Sequence, residues 1–350
     1  MRFVGTLNHS IDLYNNLVDS PDSLTPDSVD NSCSSLTQKF LSNKIEHCQF
    51  RKLFDNSAPI DRARLLSIST PHASAWLSVT PSLSMGLHLE PSEFQVAIKW
   101  WLFIPVAQCQ SCSQCNAALD AYGHHALCCK LGGDVVSRHN RLRDIFNDYC
   151  HFACLAPQLE MGGWSREYTR PADVLIPNWV LGKPAALAPK AKESNYGFSY
   201  LLQGRGWQWL RACKRNTRPA DVLVTNCSLG KLATFDLTVT SPLNPSILSK
   251  AGVTAGFAAK VAECRKHDMS DPKCSELGLK CTPLALETYG CWGAEAWETL
   301  SHLATCLAIS MRCTKSQATA AIYGRLSLTL VRSCARALLS RAGPSLVITG

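Results

Sequence analysis

The sequence lacks the features of membrane and secreted proteins. It contains no apolar run of about 18 residues, the length that a membrane-spanning helix requires. It also has no amino-terminal basic segment followed by an apolar one, which is the pattern of a signal peptide. We therefore expect an intracellular protein without membrane contact. Because disulfides are disfavoured there, close pairs among the 18 cysteines should bind metal and scattered ones should be small buried residues.

Acidic residues are missing from the end of the chain. Residues 301–350 contain no Asp or Glu, and the net charge of +8 is carried by the region after residue 100. A basic helical segment without acids is typical of a surface that contacts a phosphate backbone, and a solvated surface is the alternative. The basic residues of this segment are Arg312, Lys315, Arg325, Arg332, Arg336 and Arg341.

Local patterns predict an α/β (α+β) protein. Residues 1–60 are rich in Ser, Asn and Asp, which indicates a partly disordered lead-in with one helix near 34–54. Further on, apolar spacing predicts helices at 91–103, 138–155, 246–267, 294–311 and 315–341, and strands at 158–161, 220–226, 232–240 and 281–288. From residue 138 the order helix, strand, strand, strand, helix, strand is typical of a mixed sheet flanked by helices.

A cluster of cysteines and histidines predicts a zinc site. Cys112, Cys115, His125 and Cys129 have the spacing Cys-x2-Cys-x9-His-x3-Cys, which supplies the four ligands of a tetrahedral Zn²⁺. Such a complete set leaves no open position, so the metal should be structural. The neighbouring alternatives are Cys109, His124 and Cys128. The later cysteines lack a Cys-x2-Cys pair, so we expect them to be buried rather than to form a second zinc site.

Three carboxylates on predicted strands suggest a second metal site. Glu160, Asp221 and Asp236 would repel one another if they came together, unless a hard divalent cation such as Mg²⁺ lay between them. Magnesium suits phosphodiester hydrolysis, because it neutralises developing charge. Lys266 and Lys260 on the following helix are candidates to assist. Acids that are simply solvated are the alternative.

The acid-bearing stretch TRPADVL occurs twice, at 169–175 and at 217–223. Residues 169–186 and 217–234 are identical at 12 of 18 positions. Only the second copy has a partner acid, because Asp221 is followed by Asp236 whereas Asp173 meets Ala188 at the same step. We therefore expect the second copy to form the hairpin with 232–240 and the first to be looped out or paired at an edge. The alternative places Asp173 beside Asp236.

Several segments resemble a known family when they are taken in order. They are ARLLSISTPHASAWLSVTPS, GLHLEPSEFQVAIKWWL, the Cys/His cluster running into GGDVVSRHNRLRDIF, RPADVLV, ATFDLTVTSPL, VAECRKH and LALETYG. Together they resemble the carboxy-terminal region of non-LTR retrotransposon polyproteins, which carries a CCHC zinc motif and a restriction-endonuclease-like PD-(D/E)xK nuclease. The resemblance covers most of 60–345. It implies a nuclear, metal-dependent enzyme that nicks target DNA to prime reverse transcription, with element RNA as a further partner.

The resemblance also implies a fold and roles for particular residues. Glu160, Asp221 and Asp236 match the three acids of the family. Thr238 stands where the family has its catalytic lysine, so the resemblance implies that a lysine of the next helix takes this role, with Lys266 as the first candidate and Lys260 as the second. The implied fold is a restriction-endonuclease-like αβββαβ core. The segments are an amino-terminal partly disordered and helical part (1–105), a zinc-binding loop (106–135), a nuclease core (136–293) with an insertion at about 162–215, and basic carboxy-terminal helices (294–350).

Two alternatives to an active enzyme remain. One is a zinc-containing module that binds nucleic acid without catalysis, through the helix that bears Arg138, His139, Arg141 and Arg143. In this helix His139 has the alternative role of capping or packing. The other is an inactive relic, since no reverse transcriptase motif precedes these segments and the duplication separates strands that must lie side by side. We expect a fragment, a relic or a domesticated remnant of such an element.

Overall fold

The computed structural model describes most of the chain outside the duplicated stretch. The described residues are 2–32, 36–107, 110–155, 157–159, 174–176, 233–276 and 280–342. They form an α/β structure in which helices flank a mixed sheet. Within these ranges no helix combines the length and the apolar character that crossing a lipid bilayer requires.

The helices and strands are numbered in chain order. The α-helices are α1 (Arg2–Asn15), α2 (Pro26–Ser32), α3 (Gln38–Asp55), α4 (Pro59–Ile68), α5 (Pro91–Trp101), α6 (His124–Cys128), α7 (Asp134–Phe152), α8 (Leu248–Ala251), α9 (Phe257–Glu276), α10 (Ala294–Ser310) and α11 (Lys315–Ala342). Short 3-10 helices lie at Ser20–Asp22 and Ala75–Ser78. The strands are β1 (Gln110–Ser111), β2 (Ala118–Leu119), β3 (Gln158–Leu159), β4 (Val174–Ile176), β5 (Ala233–Thr240) and β6 (Lys280–Glu287).

The main sheet has the strand order β3-β4-β5-β6. β3, β4 and β5 pair antiparallel, whereas β5 and β6 pair parallel and are joined through α9. Because successive side chains of a strand point to opposite faces, β5 separates the two layers of helices. Phe235 lies against Phe146 of α7 at a ring-centroid distance of 5.4 Å, and Asp236 faces α9. The predicted α/β class, with helices flanking a mixed sheet, is confirmed.

The strand beside β5 comes from the first copy of the duplicated stretch, which corrects our expectation. β4 pairs Val174 with Phe235 and also pairs with β3. We had expected the second copy to supply the neighbour of β5, because only that copy has a following acid. Which segment pairs with β5 depends on the backbone hydrogen bonds that it can form, and not on the positions of its acidic residues. Residues 217–232 lie outside the described residues.

The helix predicted at 246–267 is two helices. α8 ends at Ala251, and α9 begins at Phe257 and continues to Glu276. Between them the chain passes through Gly256, whose φ of +71° is disfavoured for other residues. Periodic apolar residues on both sides of this turn had obscured the break. α9 continues for ten residues beyond Lys266, nearly three turns, along the sheet.

The amino-terminal segment is mainly helical rather than partly disordered over its described residues. The side chain of Asn15 bonds both the N–H and the carbonyl oxygen of Leu24, which fixes the turn between α1 and α2. Lys44 on α3 forms an ion pair with Asp22 at 2.8 Å, and Thr37 caps α3 by accepting a hydrogen bond from the Phe40 N–H. These polar contacts order a segment whose composition has few apolar residues.

The core is built from parts of the chain that we had assigned to separate segments. Trp100 of α5 stacks on Tyr289, just after β6, at 4.4 Å between ring centroids, and both are fully buried. The carboxy-terminal helix α11 packs against α5, α6, α7 and α10. Core contacts therefore cross the expected segment limits at 105 and 294, and the division into segments stays a prediction. The Trp pair at 100–101 is buried, so its indole rings pack in the core.

Candidate functional site

The predicted zinc ligands come together in the described structure. Cys112 and Cys115 lie in the turn between β1 and β2, His125 lies on α6, and Cys129 directly follows that helix. Their ligand atoms all lie within 4.8 Å of one another, and Cys115 Sγ is 3.2 Å from His125 Nε2. Asn116 closes the turn with a φ of +58° and donates its N–H to the Cys112 carbonyl oxygen at 2.9 Å.

The chemistry of this cluster fits zinc. Burial opposes ionisation of Cys112, but hydrogen bonds from the backbone N–H groups of Gln114 and Cys115 outweigh it and lower the pKa of the thiol to about 6. A thiolate is the form that binds metal. Three sulfurs and one imidazole nitrogen at this separation suit a tetrahedral ion bound at about 2.0–2.3 Å from each ligand. We conclude that Cys112, Cys115, His125 and Cys129 could bind zinc.

Two of the neighbouring alternatives, His124 and Cys128, are not part of the cluster. His124 Nδ1 lies 3.2 Å from the hydroxyl of Ser241, in the loop after β5. Cys128 is exposed and contacts His124 at 4.0 Å, and Cys109 lies outside the described residues. The carboxylate of Asp120 accepts the N–H groups of His124 and His125, which holds α6 in position. Among the described residues no other group of three or more metal-ligating side chains is gathered in this way.

One of the predicted acids lies against the predicted lysine. Lys266 Nζ on α9 donates to both carboxylate oxygens of Asp236 on β5, at 2.9 and 2.8 Å. The two side chains are largely buried, with exposed fractions of 28% for Lys266 and 12% for Asp236. Lys260, the second choice, is exposed. Glu160, Asp221 and Asp173 lie outside the described residues, so the described structure contains one acid of the expected set and supplies no support for magnesium.

A network next to Lys266 was missed by the sequence reasoning. His267 contacts Asp271, one turn further along α9, at 3.0 Å, and Glu295 at the start of α10 at 2.5 Å. The spacing of four residues between His267 and Asp271 was the available signal, since residues four apart on a helix are neighbours. The contact with Glu295 had no signal in the sequence.

Two of the four residues of α7 that were predicted to contact nucleic acid are buried. Arg138 is buried and donates to the Leu127 carbonyl oxygen at 3.1 Å. Arg143 is buried as well, and its guanidinium binds the carboxylate of Asp144 at 2.7 Å. Arg141 is exposed and His139 is half-exposed. Arg138 points inward because its part of α7 packs against α6 and α11, where it also contacts Cys334 Sγ at 3.8 Å. Contact with nucleic acid stays a prediction for Arg141 and His139.

The acid-free carboxy-terminal segment is not a separate basic surface. Arg336 binds Glu93 of α5, Arg325 binds Asp148 of α7 at 3.5 Å, and Arg332 donates to the Gly86 carbonyl oxygen at 2.7 Å. The guanidinium of Arg341 is fully buried and binds Asp134 at the start of α7. The acids that balance this helix come from earlier in the chain. Its arginines therefore join α11 to the rest of the core.

The chain matches no family model, no curated protein and no solved structure. Its chemistry has to be inferred from the Cys3His cluster and from the Asp236–Lys266 pair.

Proposed function

We propose that the chain is a metal-dependent DNA endonuclease domain of the non-LTR retrotransposon type. The contact between Lys266 and Asp236 carries the proposal, because it joins the acid of one sequence motif to the lysine of another. A lysine on the helix after the acid-bearing strand is what the family resemblance implies for a chain with Thr238 in place of the usual lysine. A buried ion pair with no other role would be less expected, since burying both charges has a substantial desolvation cost.

The proposed fold is a restriction-endonuclease-like core of the order α7-β3-β4-β5-α9-β6. Asp236 occupies the middle of β5, and the sheet turns this face toward α9. The helix approaches closely enough for a lysine to reach the strand. This arrangement supports the proposal because a phosphate at the face would meet a carboxylate and an ammonium together.

Each of the two groups has a defined chemical role in this proposal. The Asp236 carboxylate would help to hold Mg²⁺, which supplies neutralisation of the charge that develops on the phosphate. The Lys266 ammonium would donate a hydrogen bond to a phosphate oxygen or orient the attacking water. Glu160 and Asp221 are the further proposed ligands. Because Val174 of the first copy pairs with Phe235, Asp173, which precedes it in the sequence, is the acid to test against Asp221.

The decisive experiment is cleavage of supercoiled plasmid DNA in Mg²⁺. We expect the wild type to nick the plasmid, and Asp236→Asn and Lys266→Ala each to slow nicking by about 100-fold or more, as for removal of a group that stabilises a transition state. Lys260→Ala is the matched control, because it removes an exposed lysine of the same helix. Circular dichroism should show that all variants are folded. Nicking that persists in Asp236→Asn would exclude this site.

The same assay distinguishes the two copies of the duplicated stretch. Asp173→Asn and Asp221→Asn make the same chemical change at matching positions of the repeat. We expect the variant of the copy that supplies the metal ligand to lose activity and the other to retain it. Equal activity of both variants and the wild type would show that neither acid belongs to the site.

A zinc-containing module that binds nucleic acid without cutting it is the second candidate. The observation that favours it is the neutralisation of Asp236 by Lys266, which leaves less negative charge to attract a cation. In this case the exposed Arg141 and the half-exposed His139 would contact DNA or element RNA in the nucleus. A folded wild type that shifts DNA in a gel but leaves it uncut in Mg²⁺ and Mn²⁺ would support this candidate over the nuclease.

A further inference from the structure

Two buried cysteines meet where α9 ends and β6 begins. Cys274 lies in the last turns of α9, and Cys281 is the second residue of β6. Both are free thiols, with exposed fractions of 1% and 3%. They are seven residues apart in the sequence, on different elements, so no local spacing indicated a pair.

Thr234 of β5 connects the two thiols. The parallel register pairs Thr234 with Cys281, and the Thr234 hydroxyl lies 3.7 Å from Cys274 Sγ. The Thr234 hydroxyl lies 3.2 Å from the Lys280 carbonyl oxygen as well. Because a hydroxyl has one hydrogen, Thr234 donates either to this oxygen or to Cys274 Sγ. Cys274 is therefore held over the strand pair at the position of Cys281, and the two thiols hydrogen-bond to each other.

This contact makes the two thiols chemically different. The hydrogen bond from Cys281 lowers the pKa of Cys274 to about 7, despite burial, and the same contact raises the pKa of Cys281. Because the thiolate is the nucleophilic form, the lowered pKa makes Cys274 the nucleophile of the pair. Elsewhere in the core, burial together with the negative charge of nearby Glu287 raises the pKa of Cys291 to about 12. A thiolate beside a thiol is the arrangement of redox-active dithiols.

We propose that Cys274 and Cys281 form a redox-active dithiol that is oxidised to an intramolecular disulfide by a small hydroperoxide. The Cys274 thiolate attacks one peroxide oxygen, so that an S–O bond forms, the O–O bond breaks and the leaving oxygen takes a proton. Cys281 then attacks the sulfur of the resulting sulfenic acid. The S–S bond forms, the S–O bond breaks, and hydroxide leaves with the Cys281 proton as water. Two thiols are oxidised, and one peroxide is reduced to an alcohol, or water for hydrogen peroxide, plus water.

The disulfide would join the end of α9 to the sheet. Cys274 follows Lys266 by eight residues, so both side chains lie on the face of the helix that meets β5. Lys266 contacts Asp236 and Cys274 contacts Thr234, two residues earlier on the same strand. Oxidation would therefore fix the helix against the strand that it already contacts. This inference does not depend on the proposed nuclease activity, since it concerns only the two thiols.

Peptide mapping of the oxidised wild type tests the inference. The protein is treated with hydrogen peroxide, its remaining thiols are alkylated, and it is digested with trypsin. Cleavage after Lys273 and Lys280 leaves Cys274 in peptide 274–280 and Cys281 in peptide 281–312. We expect these peptides to be recovered joined, with the loss of two hydrogens, and fragmentation to locate the bond at Cys281 rather than Cys291 or Cys306. Two unlinked, alkylated peptides under conditions that oxidise the exposed Cys264 would overturn the inference.

Three variants separate the roles of the thiols. In Cys281→Ser we expect the sulfenic acid at Cys274 to accumulate and react with dimedone, whereas Cys274→Ser should leave Cys281 reduced. Cys291→Ser is the matched control, a buried thiol near the same strand, and should retain the disulfide. Iodoacetamide at neutral pH should modify Cys274 at least about tenfold faster than Cys291 in the wild type, because reactivity follows the thiolate fraction. Equal rates at the two thiols would contradict the assignment.

Discussion

His267 is held between two carboxylates that belong to different helices. Its ring nitrogens contact Asp271 on its own helix and Glu295 on α10. Partial burial opposes protonation, but the hydrogen bonds to Glu295 and Asp271 outweigh it and raise the pKa above the ordinary value of 6.5. The imidazolium therefore links α9, which carries Lys266, to α10.

Replacing His267 should remove a pH-dependent part of the stability. Because its pKa is raised in the folded state, the stabilisation is fully present below pH 6.5 and is lost as the pH rises through the higher, folded-state value. We expect His267→Gln to lower the free energy of unfolding by about 1 kcal/mol at pH 5.5 and by much less at pH 9. Urea unfolding at both pH values measures this. His151→Gln, at an exposed site on α7, is the control, and a pH-independent loss in His267→Gln would contradict the linkage.

At the scale of elements, Glu263 fixes how α10 begins. Its carboxylate accepts the Glu295 N–H at 3.1 Å and also interacts with the N–H groups of Ala294 and Ala296. These donors lie in the first turn of α10, where no backbone acceptor is available. Gly293 precedes this turn, and a Cβ atom there would lie 2.0 Å from a Glu263 carboxylate oxygen. The close approach of α9 to α10 therefore needs a glycine.

Gly293→Ala should destabilise the protein by displacing the Glu263 carboxylate. We expect a loss of about 1–2 kcal/mol in the free energy of unfolding, the usual cost of losing a helix cap. In a Glu263→Ala background the same substitution should cost much less, because the group that it collides with is gone. Chemical denaturation of the two single variants and the double variant measures this difference. Additive losses would show that the glycine acts in another way.

At the scale of the whole molecule, the zinc-binding loop joins the two ends of the core. The Ser113 hydroxyl donates to the Ser340 carbonyl oxygen on α11, and Arg341 donates to the Leu131 carbonyl oxygen at 2.7 Å. On the other side His124 contacts Ser241 after β5. The loop is thus connected both to the sheet and to the helix that runs through the core. Its folding should be coupled to that of the whole protein.

Loss of one zinc ligand should therefore lower global stability. We expect Cys115→Ser to lose bound zinc and to lower the free energy of unfolding by on the order of 3 kcal/mol, since metal binding contributes directly to folding. Metal analysis and thermal unfolding followed by tryptophan fluorescence measure the two effects, because the buried Trp100 reports on the core. Cys128→Ser changes an exposed cysteine next to the cluster and should retain zinc and stability. Loss of zinc from Cys115→Ser without a lower melting temperature would contradict the coupling between the loop and the core.

Elements with a strong local pattern could be predicted to within a few residues. β5, β6, α10 and α11 lie close to the predicted ranges, because their apolar periodicity agrees with their burial. Helices α1 and α2 were not anticipated, since their order depends on polar contacts such as that of Asn15 with Leu24, whereas α3 lies close to the helix predicted near 34–54. Composition reports how much apolar surface a segment has to bury. It does not report hydrogen bonds to a partner elsewhere in the chain.

The sequence by itself determined which four side chains form the Cys/His cluster, whereas the preference for Lys266 over Lys260 came from the family resemblance and stays a prediction. Ligand spacing in a short loop constrains which groups can meet, whatever the rest of the fold does. Only the tertiary structure decided that the first copy of the repeat lies beside β5, that Arg138 and Arg341 are buried, and that Cys274 meets Cys281. These contacts join residues that are distant along the chain or lie on different elements. They depend on strand register and helix packing, which arise from the cooperative folding of the whole core.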